Sequence, residues 1–186
     1  NRMVINGVQE MGSAVYDFTT DAIDNFTEFS EQHAKTLGAM AADYDNTSES
    51  QKKFFEDAQK LKEQAMQIGT YGINGTGSLM SIPEVSQAQT ELIKAGVSAS
   101  DIVDPNKNIT KDVLTFAQAN DLSTDQAVEF AVSLGNQFNI PQEQWGDMLD
   151  KVSHTADMSV IDVADIVQSM KYAGGITSGL GRDLEE

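Results

Sequence analysis

Two histidines, no cysteines and 29 carboxylates are the material for chemistry in this 186-residue sequence. Without thiols there is no thiolate nucleophile, no disulfide and no Cys-based zinc site. His33 falls on an apolar stripe, where a lone histidine is a packed side chain more often than a ligand. His154 lies between Ser153 and Asp157. Adjacent helix positions point to different faces, so this trio does not form a Ser-His-Asp triad. Two histidines alone do not make a transition-metal site.

Three further patterns imitate known chemistry and fail on detail. Asp104-Pro105-Asn106-Lys107-Asn108 resembles the start of a calcium loop. Its sixth position is Ile109 where the sharp turn needs Gly, and its twelfth is Thr115 where a bidentate Glu is needed. Ser50-Gln51-Lys52-Lys53 carries a Ser-x-x-Lys spacing without companion motifs, at the start of a surface helix. The run from Gly69 to Ser78 is glycine-rich and contains the turn-former Asn74-Gly75. No strand precedes it and no Lys-Ser/Thr follows, so it reads as a linker and not a phosphate cradle. Carboxylate pairs are plentiful, but no pair is singled out. The sequence therefore offers no catalytic, cofactor-binding or metal-binding residue, and reads as a non-enzyme with no cofactor.

The elements that would position such residues are helices. Four times a Ser precedes an acid or amide by three positions just before an apolar stripe: Ser81/Glu84, Ser98/Asp101, Ser123/Gln126 and Ser159/Asp162. The hydroxyl can accept from a free first-turn N–H, and the partner can reach back to the cap. Apolar positions then recur at helical spacing. The first stripe is Val85, Ala88, Leu92, Ala95; Gly96 stops it. A short turn from Ser98 ends before Pro105, and Ile109 to Ala119 carries Val113, Leu114, Phe116 and Ala117. The sharpest stripe is Ala127, Phe130, Ala131, Leu134, Phe138. Trp145, Met148, Leu149 and Val152 follow Pro141, and Val160, Val163, Ala164, Val167 and Met170 come last. Short connections predict antiparallel neighbours.

The N-terminal part has a longer rhythm. From Val4 to Tyr44 apolar residues recur about every 3.6 positions, the period of a straight helix. A continuous helix there would be about 60 Å long. Part of this stripe is expected to pack on another chain, through homo-oligomerisation. After the polar turn Asp43–Ser48, Phe54, Ala58, Leu61, Ala65 and Ile68 define a second helix, antiparallel to the end of the first. The expected fold is all-α: a long N-terminal amphipathic helix and hairpin over 1–68, a glycine-rich linker over 69–80, and a compact multi-helix array of short antiparallel helices over 81–186. Asp183-Leu184-Glu185-Glu186 reads as a helix cap and first turn with nothing behind it, so the sequence is expected to be a piece of a longer protein.

Net charge of −17 argues against nucleic acid, which is bound through clustered Lys and Arg, and against an anionic membrane surface. No apolar stretch approaches the ~20 residues that span a bilayer. Absence of Cys fits a reducing compartment.

Several short blocks, taken in order, are similar to a known family. Leu92-Ile93-Lys94-Ala95-Gly96-Val97-Ser98, Phe116-Ala117, Asn136-Gln137-Phe138-Asn139-Ile140, Asp150-Lys151-Val152, Thr155-Ala156-Asp157-Met158-Ser159, Ser169-Met170-Lys171-Tyr172-Ala173-Gly174 and Leu180-Gly181 resemble the core region of phage tail tape measure proteins. The likeness runs from about residue 80 to the end, and residues 30–68 resemble the helical lead-in more loosely. The glycine-rich stretch Gly69–Ser78 and the polar turn Asp104–Lys111 depart from that pattern. The resemblance implies a structural protein of the virion tail, lying in the tube lumen and setting tail length. It implies a tail tube protein and tail assembly chaperones as partners, assembly in the bacterial host cytoplasm, and no catalytic residues in this region. A helical adaptor that binds a partner protein is the alternative reading.

Overall fold

The computed structural model describes residues 27–45, 47–72, 80–158 and 162–169. All regular structure in them is helical: α1 over 27–40, α2 Ser48–Tyr71, α3 Ile82–Lys94, α4 Ala99–Ile102, α5 Ile109–Ala119, α6 Thr124–Gln137, α7 Trp145–Asp157 and α8 over 163–169. The all-α expectation holds, and no strand occurs among the described residues.

Capping chemistry places the helix starts. Ser81 and Ser123 form full boxes with Glu84 and Gln126, each accepting from the third helical N–H while the partner side chain returns to the cap backbone. Ser98 accepts from the Asp101 N–H. Ser159 lies outside the described residues. A fifth cap went unread in the sequence: Thr47 accepts from the Ser50 N–H at 3.2 Å, and is itself held by Asp45, which accepts from the Thr47 amide at 2.9 Å and hydroxyl at 2.6 Å. Gly96 takes a φ of +93°, and Val97 N–H returns to Leu92 O at 3.0 Å, closing α3.

The first helix ends before its apolar rhythm does. α1 ends at residue 40, and a 3-10 turn, Ala41–Asp43, follows before Tyr44 goes extended. The break lets Tyr44 turn back onto α2, where its hydroxyl donates to Asp57 Oδ2 at 2.7 Å and its ring meets Phe54 edge-on. Residues 4–26 of the stripe lie outside the described residues. The described part packs within this chain. Met40 joins the core of the array, and Phe29 shares a second apolar cluster with Ala65, Ile68, Val85, Ala88 and Leu114.

α3 is the hub. Eight of its thirteen residues are buried, from Pro83 to Ile93, because α2, α4, α5 and α6 all pack on it and α1 crosses it at Thr36. Its buried surface exceeds the stripe read from sequence. Ser86, Gln89 and Thr90 are buried too, whereas Ala95 is exposed beyond the helix end. The polar members are bonded across helices: Thr36 Oγ1 lies 2.8 Å from Thr90 Oγ1, and Gln89 donates to Leu61 O and Gln64 Oε1, both at 3.0 Å.

Packing in the array is not confined to consecutive helices. α5 and α7 lie side by side and run the same way, as Asp112 faces Gly146 and Asn120 donates to Ser153 Oγ at 2.9 Å. α6, which lies between them in the chain, stacks Phe130 on Phe116, with centroids 5.4 Å apart. Nor does the expected linker begin at Gly69. α2 continues to Tyr71, and Gly69 lies where the helix meets the start of α3. A Cβ there would come within 2.8 Å of Ile82 backbone atoms. Leu61 and Ala58 of α2 belong to the same core cluster as Phe130 and Leu149.

Candidate functional site

The residues flagged for chemistry are not brought together, and their polar atoms hold structure. Ser153 donates to Leu149 O, while His154 is exposed on another face of α7. Ser50 Oγ accepts from the Asp45 amide at 2.9 Å and so belongs to the turn before α2, not to a Ser-Lys pair. Asp104 Oδ1 accepts from the amide and the side chain of Asn106, a local Asx turn. His33 stacks on Phe29, and burial lowers its pKa, helped by the Lys62 charge. Among the described residues no group of three or more His, Cys, Asp or Glu is placed to hold a metal.

Two electrostatic features fasten the array. Lys107 bridges the α4–α5 turn to the 3-10 turn Gln142–Gln144 ahead of α7, meeting Asp101 Oδ1 at 2.6 Å and Gln142 Oε1 at 3.2 Å. Burial works to raise the Asp101 carboxyl, but bonds from Lys107 and Ser98 outweigh it and hold it below the ordinary range. The second feature was not legible beforehand. Asp112 of α5 sits half-buried against the first turn of α7. Burial pushes its carboxyl up to about 6; neighbouring Lys111 opposes, while Asp150 and Asp147 add to the rise. Its Oδ2 would lie 2.9 Å from a Cβ at Gly146, so this close approach depends on glycine.

Two openings among the described residues are large enough to weigh as sites. A polar cleft of about 420 Å³ lies between α2 and the α4–α5 turn, lined by Lys60, Gln64, Asn108 and Lys111 among others. An apolar groove of about 320 Å³ lies at the α6–α7 corner over Leu134, Phe138, Ile140 and Met148. Phe138 was expected in the core. Instead it caps the end of α6 and is 60% exposed, because the helix stops there and Asn139 turns the chain with a φ of +51°. Neither opening gathers an acid, a base and a nucleophile.

No helix among the described residues is long and apolar enough to cross a membrane. Comparison with characterised proteins and with solved structures gave no match. Residues 62–186 match a protein family described as phage-related minor tail protein. The matched region begins midway along α2, takes in every helix that packs on α3 from the C-terminal side, and runs to the last residue. It covers well over half of the sequence, and the chain belongs to this family of phage tail proteins.

Proposed function

We propose that this chain is a segment of a tape measure protein, a non-enzymatic structural component that lies in the tail tube lumen and sets tail length. The carrying observation is the family match over residues 62–186, in a chain whose ordered short motifs resemble the tape measure core. The build suits the role. A helix converts residue count into length at about 1.5 Å per residue, as a molecular ruler requires. Tail tube subunits would polymerise around the parent protein, with tail assembly chaperones as earlier partners in the host cytoplasm.

Two experiments test this. Mass spectrometry of purified tails should recover peptides from residues 80–186. In-frame deletion or duplication of helical stretches in the parent gene should shorten or lengthen tails in proportion, read by electron microscopy. Tails of unchanged length would remove the ruler reading.

The groove over Leu134, Phe138, Ile140 and Met148 favours a second reading, a helical adaptor that holds a partner helix. A defined stoichiometric complex with one soluble partner, and no association with tails, would support it instead.

A further inference from the structure

The groove at the α6–α7 corner continues onto an exposed face of α7. Asp147, Lys151, His154 and Met158 follow one another at spacings of four, three and four, so they share the outer side of the helix, and all four are exposed. Met158 is 79% exposed at the C-terminal end of α7. Phe138 is 60% exposed at the rim of the groove, near the N-terminal end. The face therefore carries an apolar knob at one end and an apolar hollow over Leu134, Ile140 and Met148 at the other.

This face is balanced in charge, in a chain that is not. The sequence has 29 acids against 12 bases, yet no charged residue occurs from Phe130 to Gln142. One acid, Asp147, and one base, Lys151, line the groove. Neither makes a salt bridge among the described residues. The next acid along the helix, Asp150, acts on Asp112 of α5 and so lies round the helix from the groove.

Asp147 and Lys151 are one turn apart, and that spacing is self-complementary. A two-fold axis level with residue 149, midway between them, sets two α7 helices antiparallel. Asp147 of each copy then lies opposite Lys151 of the other, and His154 opposite Gln144. Met158 is nine residues, or about 13 Å, from that level. The antiparallel arrangement carries it past Gln144 of the other copy, to the end where the hollow opens. An acidic or a basic partner would match only one of the two charges; a second copy of this chain matches both.

We propose that this face of α6 and α7 is a two-fold self-association surface, with Met158 of each copy seated in the hollow of the other beside Phe138, and two reciprocal Asp147–Lys151 pairs. Apolar burial supplies the affinity, and the charge pairs set the register. The hollow is the one that favours the adaptor reading, but the occupant inferred here is a second copy, and neither functional reading depends on it.

The test is sedimentation and light scattering of residues 1–186 at concentrations up to about 1 mM. Salt of about 0.1 M damps the long-range repulsion between two chains of charge −17 and leaves contact pairs in force. The wild type should form a dimer in a concentration-dependent manner. Phe138→Ala with Met158→Ala should weaken it by about tenfold or more. Lys151→Asp and Asp147→Lys, made in separate chains, each set like charges opposite one another and should weaken it similarly. An equimolar mixture of those two chains restores both pairs across the axis and should associate as the wild type does. All four side chains are exposed, so helical content by circular dichroism should not change. A monomeric wild type, a dimer indifferent to the Phe138 and Met158 substitutions, or a mixture no more associated than its two components would each overturn the proposal.

Discussion

Gly135→Ala tests the joint between α6 and α7 most directly. Gly135 lies inside α6, where alanine alone would stabilise by about 1 kcal/mol through helix propensity. Here the added methyl would sit 2.6 Å from Trp145 Nε1 and 2.8 Å from Cε2. The indole is 2% exposed and cannot swing into solvent without opening the core. It is also tied, since Nε1–H donates to Ile140 O at 3.3 Å, while the Ile140 N–H donates to Gly135 O at 2.8 Å. Relieving the overlap displaces the ring, at about 1–3 kcal/mol for overpacking, and strains or breaks the indole bond, at about 1 kcal/mol more. After the propensity gain, a net loss of about 1–3 kcal/mol is expected. Trp145 is the single tryptophan, so its fluorescence reports this contact alone. Urea unfolding followed at the tryptophan should show a lower midpoint and a native emission shifted to the red. Stability equal to or above wild type, with unchanged emission, would refute the argument that this glycine is there for the indole.

The remaining expectations are as follows. Phe130→Ala removes a buried ring stacked on Phe116 and should cost about 3–5 kcal/mol in chemical denaturation; an unchanged midpoint would displace α6 from the core. Ser123→Ala breaks one capping box and should cost about 1 kcal/mol. Asp112 titrates near 6 in the folded chain, above its ordinary value of 3.8, so the native state binds the extra proton between those values. The stability this contributes is fully present below about pH 4 and is lost as pH rises through about 6; half-exposure screens it to about 1 kcal/mol. Asp112→Asn should therefore flatten the stability profile between pH 4 and 7, and a profile identical to wild type would show that Asp112 is not the group responsible.

Local grammar was legible in the residues. Ser81, Ser98 and Ser123 cap where their spacing says, and Ile109–Ala119 forms a helix with the expected bounds, because capping and amphipathic rhythm involve residues three or four apart. The α1 boundary was not legible. Its apolar rhythm continues through Tyr44, and only the bond from Tyr44 to Asp57 of α2 shows why the chain breaks at residue 40. The raised Asp112 carboxyl was not legible either. Its shift comes from burial under α7 and from Asp147 and Asp150, more than thirty residues away in sequence.

By itself, then, the sequence determined an all-α chain, most of its caps and the greater part of its apolar faces, since each depends on neighbours within one or two helical turns. Tertiary structure decided which of those faces meet. It buried Thr36, Ser86, Gln89 and Thr90 around the hub helix and left Phe138 in the open. It set α5 parallel to α7, and it made Gly69, Gly135 and Gly146 points of close approach. These outcomes depend on packing between segments distant in the chain, and a glycine or a threonine carries no local mark of what another helix will press against it.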